Sequence, residues 1–181
     1  MSKSLPPDSL AEAIGRLSMA WSNAELAMAV LLQALLDTDA PTAVAVSVAA
    51  DYSRRRDLLN SLATLKLRGQ LKVDYDKIMS ELNGLSKERN AVIHGIFINL
   101  DGKERRLNLN NRGVFTGVER VESVGRINAV AKKIVTITNA IPDLAVRVEV
   151  AVKAWREKVE PSTPSLRGYV ERHQVTTPGK P

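Results

Sequence analysis

Three polar residues in the segment SKERNAVIHGIF, residues 86–97, have types and spacing suited to chemistry. Arg89 and Asn90 are adjacent, and His94 follows Asn90 by four residues, which is about one helical turn. A neutral imidazole can accept a proton near neutral pH, and a guanidinium can hold a phosphate through two parallel hydrogen bonds. The three side chains therefore fit phosphodiester cleavage, with His94 as general acid–base, Arg89 on the scissile phosphate and Asn90 orienting the histidine or a phosphate oxygen. No metal ion is required if the ribose 2′-hydroxyl of RNA is the attacking group.

The same residues have a structural interpretation, which remains open from the sequence. Gly95 is a natural helix stop, and cationic Arg89 and His94 would then lie in the last turns, where they interact favourably with the helix dipole. The spacing is also weak evidence by itself, because Arg167 and His173 in RGYVERH are separated by five residues. That second copy lacks a following Asn and an apolar helical frame.

Four further polar residues are candidates for substrate binding. Glu25 falls one position after an apolar seam residue of the first helix and could pair with Arg89, border a cleft or face solvent. Arg54, Arg55 and Arg56 open a helix and could bind RNA phosphates, with a solvated helix start as the alternative.

Composition excludes several kinds of site. The chain of 181 residues has no cysteine and two histidines, which excludes disulfides and thiol nucleophiles and makes a zinc centre improbable. There is no Gly-rich phosphate loop ending in Lys-Ser or Lys-Thr, no G-x-S-x-G and no H-E-x-x-H, so we expect no metal and no cofactor. The net charge of +6 is compatible with a nucleic-acid partner. The absence of a signal-like start or an uninterrupted apolar span predicts a cytoplasmic protein with no membrane partner.

Helical periodicity dominates the chain. A first helix is predicted from Asp8 or Ser9 to the segment DTDAP, where Asp39 and Pro41 begin the next element. Residues 41–68 are predicted to be helical with a break near the middle. We expect Ser53 to cap the second half, Leu58, Leu62 and Leu65 to form its inner stripe, and Gly69 to end it.

Between the last two predicted helices, the spacing of apolar residues changes from the helical period to the alternation typical of strands. A third helical region is predicted at about 74–94, followed by a β-hairpin near 96–109 around Asp101-Gly102. The last helix is predicted from about 121 to 159, and its apolar spacing continues through Pro142, which indicates one kinked helix. Its length would leave an apolar strip uncovered, for a second copy of the chain or for another helical partner.

These elements predict an all-α fold, an up-and-down four- to five-helix bundle with a small β-hairpin inserted before the long last helix. The bundle would span residues 8–160, after an N-terminal extension at 1–7. Residues 161–181, which contain four prolines and no sustained periodicity, would be a flexible tail.

The order of these helices and the Arg89, Asn90 and His94 pattern resemble the HEPN superfamily. Active members of that family carry an Arg, four to six residues and then a His, often with Asn after the Arg; here the intervening residues are NAVI. The resemblance implies a helical bundle that dimerises with both motifs facing a shared cleft. It also implies a metal-independent endoribonuclease of a toxin–antitoxin, antiphage or RNA-processing system.

One histidine per site is a further reason to expect a homodimer, because cleavage by a 2′-hydroxyl needs a base and then an acid for the leaving oxygen. RNA is the expected substrate, and an antitoxin or a nucleotidyltransferase is a further expected partner. The alternatives are a non-catalytic HEPN-like module that binds RNA, a nucleotide or a protein, and a structural helical adaptor.

Overall fold

The computed structural model describes residues 8–100, 103–107, 120–121 and 123–159. The predicted N-terminal extension, the predicted tail with its Arg167 and His173, and the Asp101-Gly102 turn lie outside the described residues.

The described chain forms five helices and three short strands. The helices are α1 (Asp8–Leu36), α2 (Ala40–Val48), α3 (Tyr52–Lys66), α4 (Gly69–Ile93) and α5 (Val124–Val159). The strands are β1 (Ile96–Leu100), β2 (Lys103–Leu107) and β3 (Arg120–Val121), in the order β1-β2-β3 with antiparallel neighbours. The fold is therefore an α-helical bundle, as predicted, while the hairpin with its turn stays a prediction.

Helix starts follow from side-chain caps. Asp39 caps α2 by accepting a hydrogen bond of 2.9 Å from the backbone N–H of Thr42, with Pro41 in the first turn, as predicted. The prediction that Ser53 caps the next helix is wrong. Asp51 is the cap of α3 and accepts from the Arg54 N–H at 2.9 Å, because its carboxylate stands just before the first helical residue.

The junction between α3 and α4 also differs from the prediction. Gly69 does not end α3; α3 ends at Lys66, and Gly69 is the first residue of α4, five residues before the predicted start. Leu67 is buried and extended, and Gly69 has a φ of +57°, a left-handed conformation that glycine adopts without the Cβ penalty. The chain therefore turns directly from α3 into α4.

The buried stripe of α3 is displaced from the predicted one. The buried residues are Arg55, Leu59 and Ala63, whereas Leu58 and Leu62 are only partly buried and Leu65 is 52% exposed. A single rotation of the helix by one residue step, about 100°, accounts for the difference.

Contacts between helices fix their directions. Arg16 donates to Asn128 at 3.1 Å and Asp37 pairs with Arg156, so α1 and α5 run parallel. Arg56 of α3 donates to Asn83, and one turn later in α3 Asn60 accepts from Tyr75, which lies earlier in α4. The two helices are therefore antiparallel. The C-terminal end of α4 consequently meets the N-terminal end of α3 beside α1. Pro142 lies inside α5, which is one helix as predicted.

Of the described helices, α1 alone is long and apolar enough to cross a membrane by length and composition. Within the qualifying window 56% of the residues are buried inside the bundle. A core helix of a globular bundle passes the same test, so this is weak evidence for membrane insertion.

Candidate functional site

Arg89 and Asn90 lie near the C-terminal end of α4, and their side chains are in contact. The Arg89 Nη1 donates a hydrogen bond of 2.9 Å to the Asn90 Oδ1. The asparagine is exposed and the arginine is partly buried. The structure therefore brings these two predicted site residues together.

An aromatic pair supports the Arg89 guanidinium from inside the bundle. The Arg89 Cζ lies 5.8 Å from the ring centroid of Trp21 on α1, within range of a cation–π interaction. Tyr52, the first residue of α3, packs against the same indole with ring centroids 5.0 Å apart and an interplanar angle of 61°. Trp21 is only 4% exposed, so the surface on which Arg89 rests is fixed by the core.

Arg89 has unused donor capacity. Its Nε is buried and makes no hydrogen bond to the described residues, and no carboxylate among them lies within ion-pair distance. A guanidinium carries five N–H donors and a full positive charge. The Nη2 is not buried and makes no hydrogen bond to a described residue, so an anion such as a phosphate can bind there.

His94 is the C-cap residue of α4 and is exposed. Its backbone N–H donates to the Asn90 carbonyl oxygen at 3.0 Å, which places it one turn after Asn90. Within the described part of the chain its imidazole makes no hydrogen bond or ion pair. The histidine is thus at the predicted end of the site, but its imidazole is not hydrogen-bonded to Arg89 or Asn90.

Glu25 pairs with Arg55, and the predicted alternative of a salt bridge to Arg89 is wrong. The Trp21 Nε1 donates to the Glu25 Oε1 at 3.1 Å, and the Arg55 Nη1 lies 3.9 Å from the same oxygen. The Glu25 side chain is 38% exposed, so the carboxylate is at the border of the site and not fully solvated.

The three consecutive arginines of α3 have three different surroundings. The Arg54 side chain is 80% exposed, with Asp51 3.7 Å away. The Arg55 side chain is 9% exposed, and its guanidinium donates to the carbonyl oxygens of Ser47 and Ala50 at 2.8–3.1 Å, at the C-terminal end of α2.

Arg56 points toward α4. It donates to the Asn83 Oδ1 at 2.8 Å and pairs with Asp57, also at 2.8 Å. Of the three arginines, Arg54 alone is open to solvent without a bond to another helix, so a phosphate contact at α3 is easiest to envisage there.

Trp21 and Tyr52 were not singled out by the sequence patterns. Trp21 fits the apolar seam of α1, and only its position four residues before Glu25 could have indicated a polar contact. Burial raises the pKa of Tyr52, while Arg56 and the nearby Ser86 hydroxyl oppose that rise. The Tyr52 hydroxyl is buried and makes no hydrogen bond of normal geometry to a described residue.

Among the described residues, no three or more His, Asp or Glu side chains lie close enough together to hold a metal ion. Comparisons of the chain with family models, with curated proteins and with solved structures gave no significant match.

Proposed function

We propose that the protein is a metal-independent endoribonuclease of HEPN type that acts as a homodimer. The observation that carries the proposal is the Arg89 guanidinium, which is held on Trp21 and bonded to Asn90 but has no carboxylate partner among the described residues. His94 stands one turn further on, exposed to solvent. This arrangement supports a phosphate grip next to a proton-transfer group.

In the proposed reaction, the RNA supplies the nucleophile. His94 removes the proton of a ribose 2′-hydroxyl, and the O2′ attacks the adjacent phosphorus. The bond from phosphorus to the 5′-oxygen breaks, and an acid protonates that leaving oxygen. The products are a 2′,3′-cyclic phosphate and a 5′-hydroxyl. Arg89 stabilises the charge that grows on the phosphate oxygens, and Asn90 fixes the orientation of the guanidinium.

The resemblance implies that a second copy of the chain supplies the acid, and the described helices offer a surface for association. Large apolar side chains are exposed on the neighbouring helices α1 and α5, between 41% and 70% of each: Met19, Leu26, Val30, Val135, Val146 and Val150. Met19 and Val135 border one groove between the helices, and Val30 and Val146 border another, so these residues share a face. We call this set the α1/α5 strip. Such a strip supports a helical interface between two protomers.

The wider proposal follows the resemblance. The fold would be an up-and-down bundle with the β-hairpin inserted before α5. The protein would act in the cytoplasm in a toxin–antitoxin, antiphage or RNA-processing system. RNA would be its substrate and an antitoxin or nucleotidyltransferase a further partner.

The test is cleavage of single-stranded RNA in EDTA by the wild type, Arg89→Ala and His94→Ala. Lys77→Ala is the matched control, because it removes an exposed cation from α4 far from the site. We expect the two site variants to lose at least a hundredfold in rate. We also expect 2′,3′-cyclic phosphate ends, and no cleavage where the 2′-hydroxyl is absent. Equal activity in all four proteins, or none in the wild type, would contradict the proposal.

The second candidate is a non-catalytic module of the same fold, which binds RNA, a nucleotide or a protein. It is favoured because no hydrogen bond joins the His94 imidazole to Arg89 or Asn90 in the described chain. Salt-dependent RNA binding that requires Arg89 but not His94, without cleavage, would establish it. If the protein neither cleaves nor binds RNA, the structural helical adaptor is the remaining alternative.

A further inference from the structure

A polar stripe runs along α4 and ends at the proposed catalytic group. It consists of exposed or half-exposed side chains at alternating spacings of four and three: Asp76, Ser80, Asn83, Lys87, Asn90 and His94. This spacing places all of them on one face of the helix. The stripe therefore leads from the site, at the C-terminal end of α4, along the helix surface toward its N-terminal half.

Beside this stripe, α3 and α4 enclose a groove of about 500 Å³, which we call the α3/α4 groove. Its rim carries hydroxyl and amide groups from both helices, among them Asn60 and Thr64 of α3 and Ser80 and Asn83 of α4. Asn83 lies seven residues before Asn90, about 10 Å along the helix axis. The groove therefore begins about two helical turns before Asn90, on the face of α4 that carries the stripe.

The charges in the α3/α4 groove are balanced within the protein. Arg56 pairs with Asp57 at 2.8 Å, and Lys72 on α4 pairs with Asp76 at 2.7 Å. Because each cation has a carboxylate partner, the groove offers little attraction for a phosphate backbone. Its neutral hydrogen-bonding groups are better suited to the edges of nucleobases.

Two amides of the groove are held in a fixed orientation. The Asn83 Oδ1 accepts a hydrogen bond from Arg56, and a guanidinium can only donate, so the Asn83 amide nitrogen faces away from it. The Asn60 Oδ1 accepts from the Tyr75 hydroxyl at 2.9 Å, and burial raises the pKa of that phenol, which keeps it a neutral donor. Neither amide nitrogen donates to a described residue. Both are ready donors for an acceptor atom of a bound molecule.

We propose that the α3/α4 groove reads bases of single-stranded RNA whose phosphate is bound at Arg89, with the Asn83 amide as the specificity-determining donor. This inference rests on the proposed function. The bases favoured at the groove are those that present a ring nitrogen or carbonyl acceptor to the amide. At about 3.4 Å per stacked nucleotide, the 10 Å from Asn90 corresponds to roughly three nucleotides. A dinucleotide bound at Arg89 would not reach the groove.

The experiment compares Asn83→Asp with the wild type on a randomised twelve-nucleotide RNA and on a dinucleotide. Asp keeps an oxygen for Arg56 but loses the donor. We expect kcat/KM on the long substrate to fall about tenfold, with a changed base preference, and the dinucleotide rate to stay unchanged. Asn139→Asp, at an exposed position of α5, is the matched control with no effect on either. Ser80→Ala removes an exposed hydroxyl of the groove, and we expect a smaller loss on the long RNA alone.

Binding of the 2′-deoxy form of the long oligonucleotide, followed by fluorescence anisotropy, separates this inference from the cleavage reaction. Weaker binding by Asn83→Asp supports the groove even if the wild type cleaves nothing. Cleavage and binding by both groove variants within twofold of the wild type, with the same base preference, would overturn the inference and leave the proposed function intact. A wild type that neither cleaves the RNA nor binds the oligonucleotide would overturn both, and would leave the groove to a protein partner.

Discussion

Alanine substitution of the three adjacent arginines of α3 tests how the structure divides their roles. Arg54→Ala, Arg55→Ala and Arg56→Ala each remove one positive charge from neighbouring positions, so charge alone predicts similar effects. The structure predicts a large loss of stability for Arg55 and almost none for Arg54, because their side chains are 9% and 80% exposed.

The magnitude for Arg55 follows from its contacts. Its guanidinium donates three hydrogen bonds to the Ser47 and Ala50 carbonyl oxygens at the end of α2. Hydrogen bonds that involve a charged group contribute about 1.5–3 kcal/mol each, and they are not additive. The substitution also leaves the partly buried Glu25 without its cation. We expect the free energy of unfolding to fall by about 3–5 kcal/mol, which lowers Tm by roughly 6–20 °C for a chain of this size.

The neighbours set the scale of that effect. Arg54→Ala removes an exposed contact of 3.7 Å to Asp51 and should change stability by about 0.5 kcal/mol or less. Arg56→Ala loses bonds to Asn83 and Asp57 near the surface, and about 1 kcal/mol is expected. Arg55→Lys should recover less than half of the loss, since an ammonium cannot reproduce the fork of donors.

The assay is thermal unfolding followed by circular dichroism, together with urea unfolding to obtain free energies. If Arg55→Ala keeps its Tm within 2 °C of the wild type, or if Arg54→Ala is the more damaging change, the assignment of Arg55 to the α2 terminus is wrong. In that case the guanidinium would be free to bind substrate.

Three further perturbations test the core, the interface and the site. Tyr75→Phe should lose about 1 kcal/mol because its hydroxyl is hydrogen-bonded, whereas Tyr52→Phe should change stability by less than about 0.5 kcal/mol, measured by urea unfolding. Burial raises the pKa of Tyr75, so the unfolded state loses the phenol proton first and the free energy of unfolding should fall as pH rises above about 10. The fall should be less steep in Tyr75→Phe, and an equal slope of the free energy of unfolding against pH in the two proteins would refute this. Leu26→Glu in the α1/α5 strip should yield a monomer by sedimentation velocity, while Leu65→Glu, at an exposed leucine of α3, should leave the dimer intact. A monomeric wild type would contradict a catalytic site shared between two protomers. Arg89→Met should keep or raise Tm while it abolishes cleavage, and a Tm loss above about 5 °C would indicate a structural arginine.

Much of the fold follows from local rules in the sequence. The N-cap at Asp39, the continuity of α5 through Pro142 and the end of α4 at His94 depend on residues close in the chain. The α3 to α4 junction does not. There Leu67 is buried by the rest of the bundle, and this tertiary contact decides that Gly69 begins a helix instead of ending one.

The candidate site shows the same division. That Arg89 and Asn90 are neighbours is certain from the sequence, and their hydrogen bond is a local contact. Which of three consecutive arginines faces the core depends on the rotation of α3, because successive residues point about 100° apart. The carbonyl oxygens at the end of α2 provide the partner that accommodates Arg55 inside, and no pattern within α3 contains that information.

Arg89 differs from the other partly or fully buried arginines of α3 and α4 in what satisfies its charge. Arg55 and Arg56 have carbonyl or carboxylate partners, as expected for cations that stabilise a fold. Arg89 follows Leu82 by seven residues and so faces the bundle, yet its described contacts are one amide oxygen and the face of an indole. A cation that has lost part of its hydration without gaining a carboxylate lowers stability. Such a cost is typical of residues retained to bind a charged ligand, and here that ligand would be the phosphate of RNA.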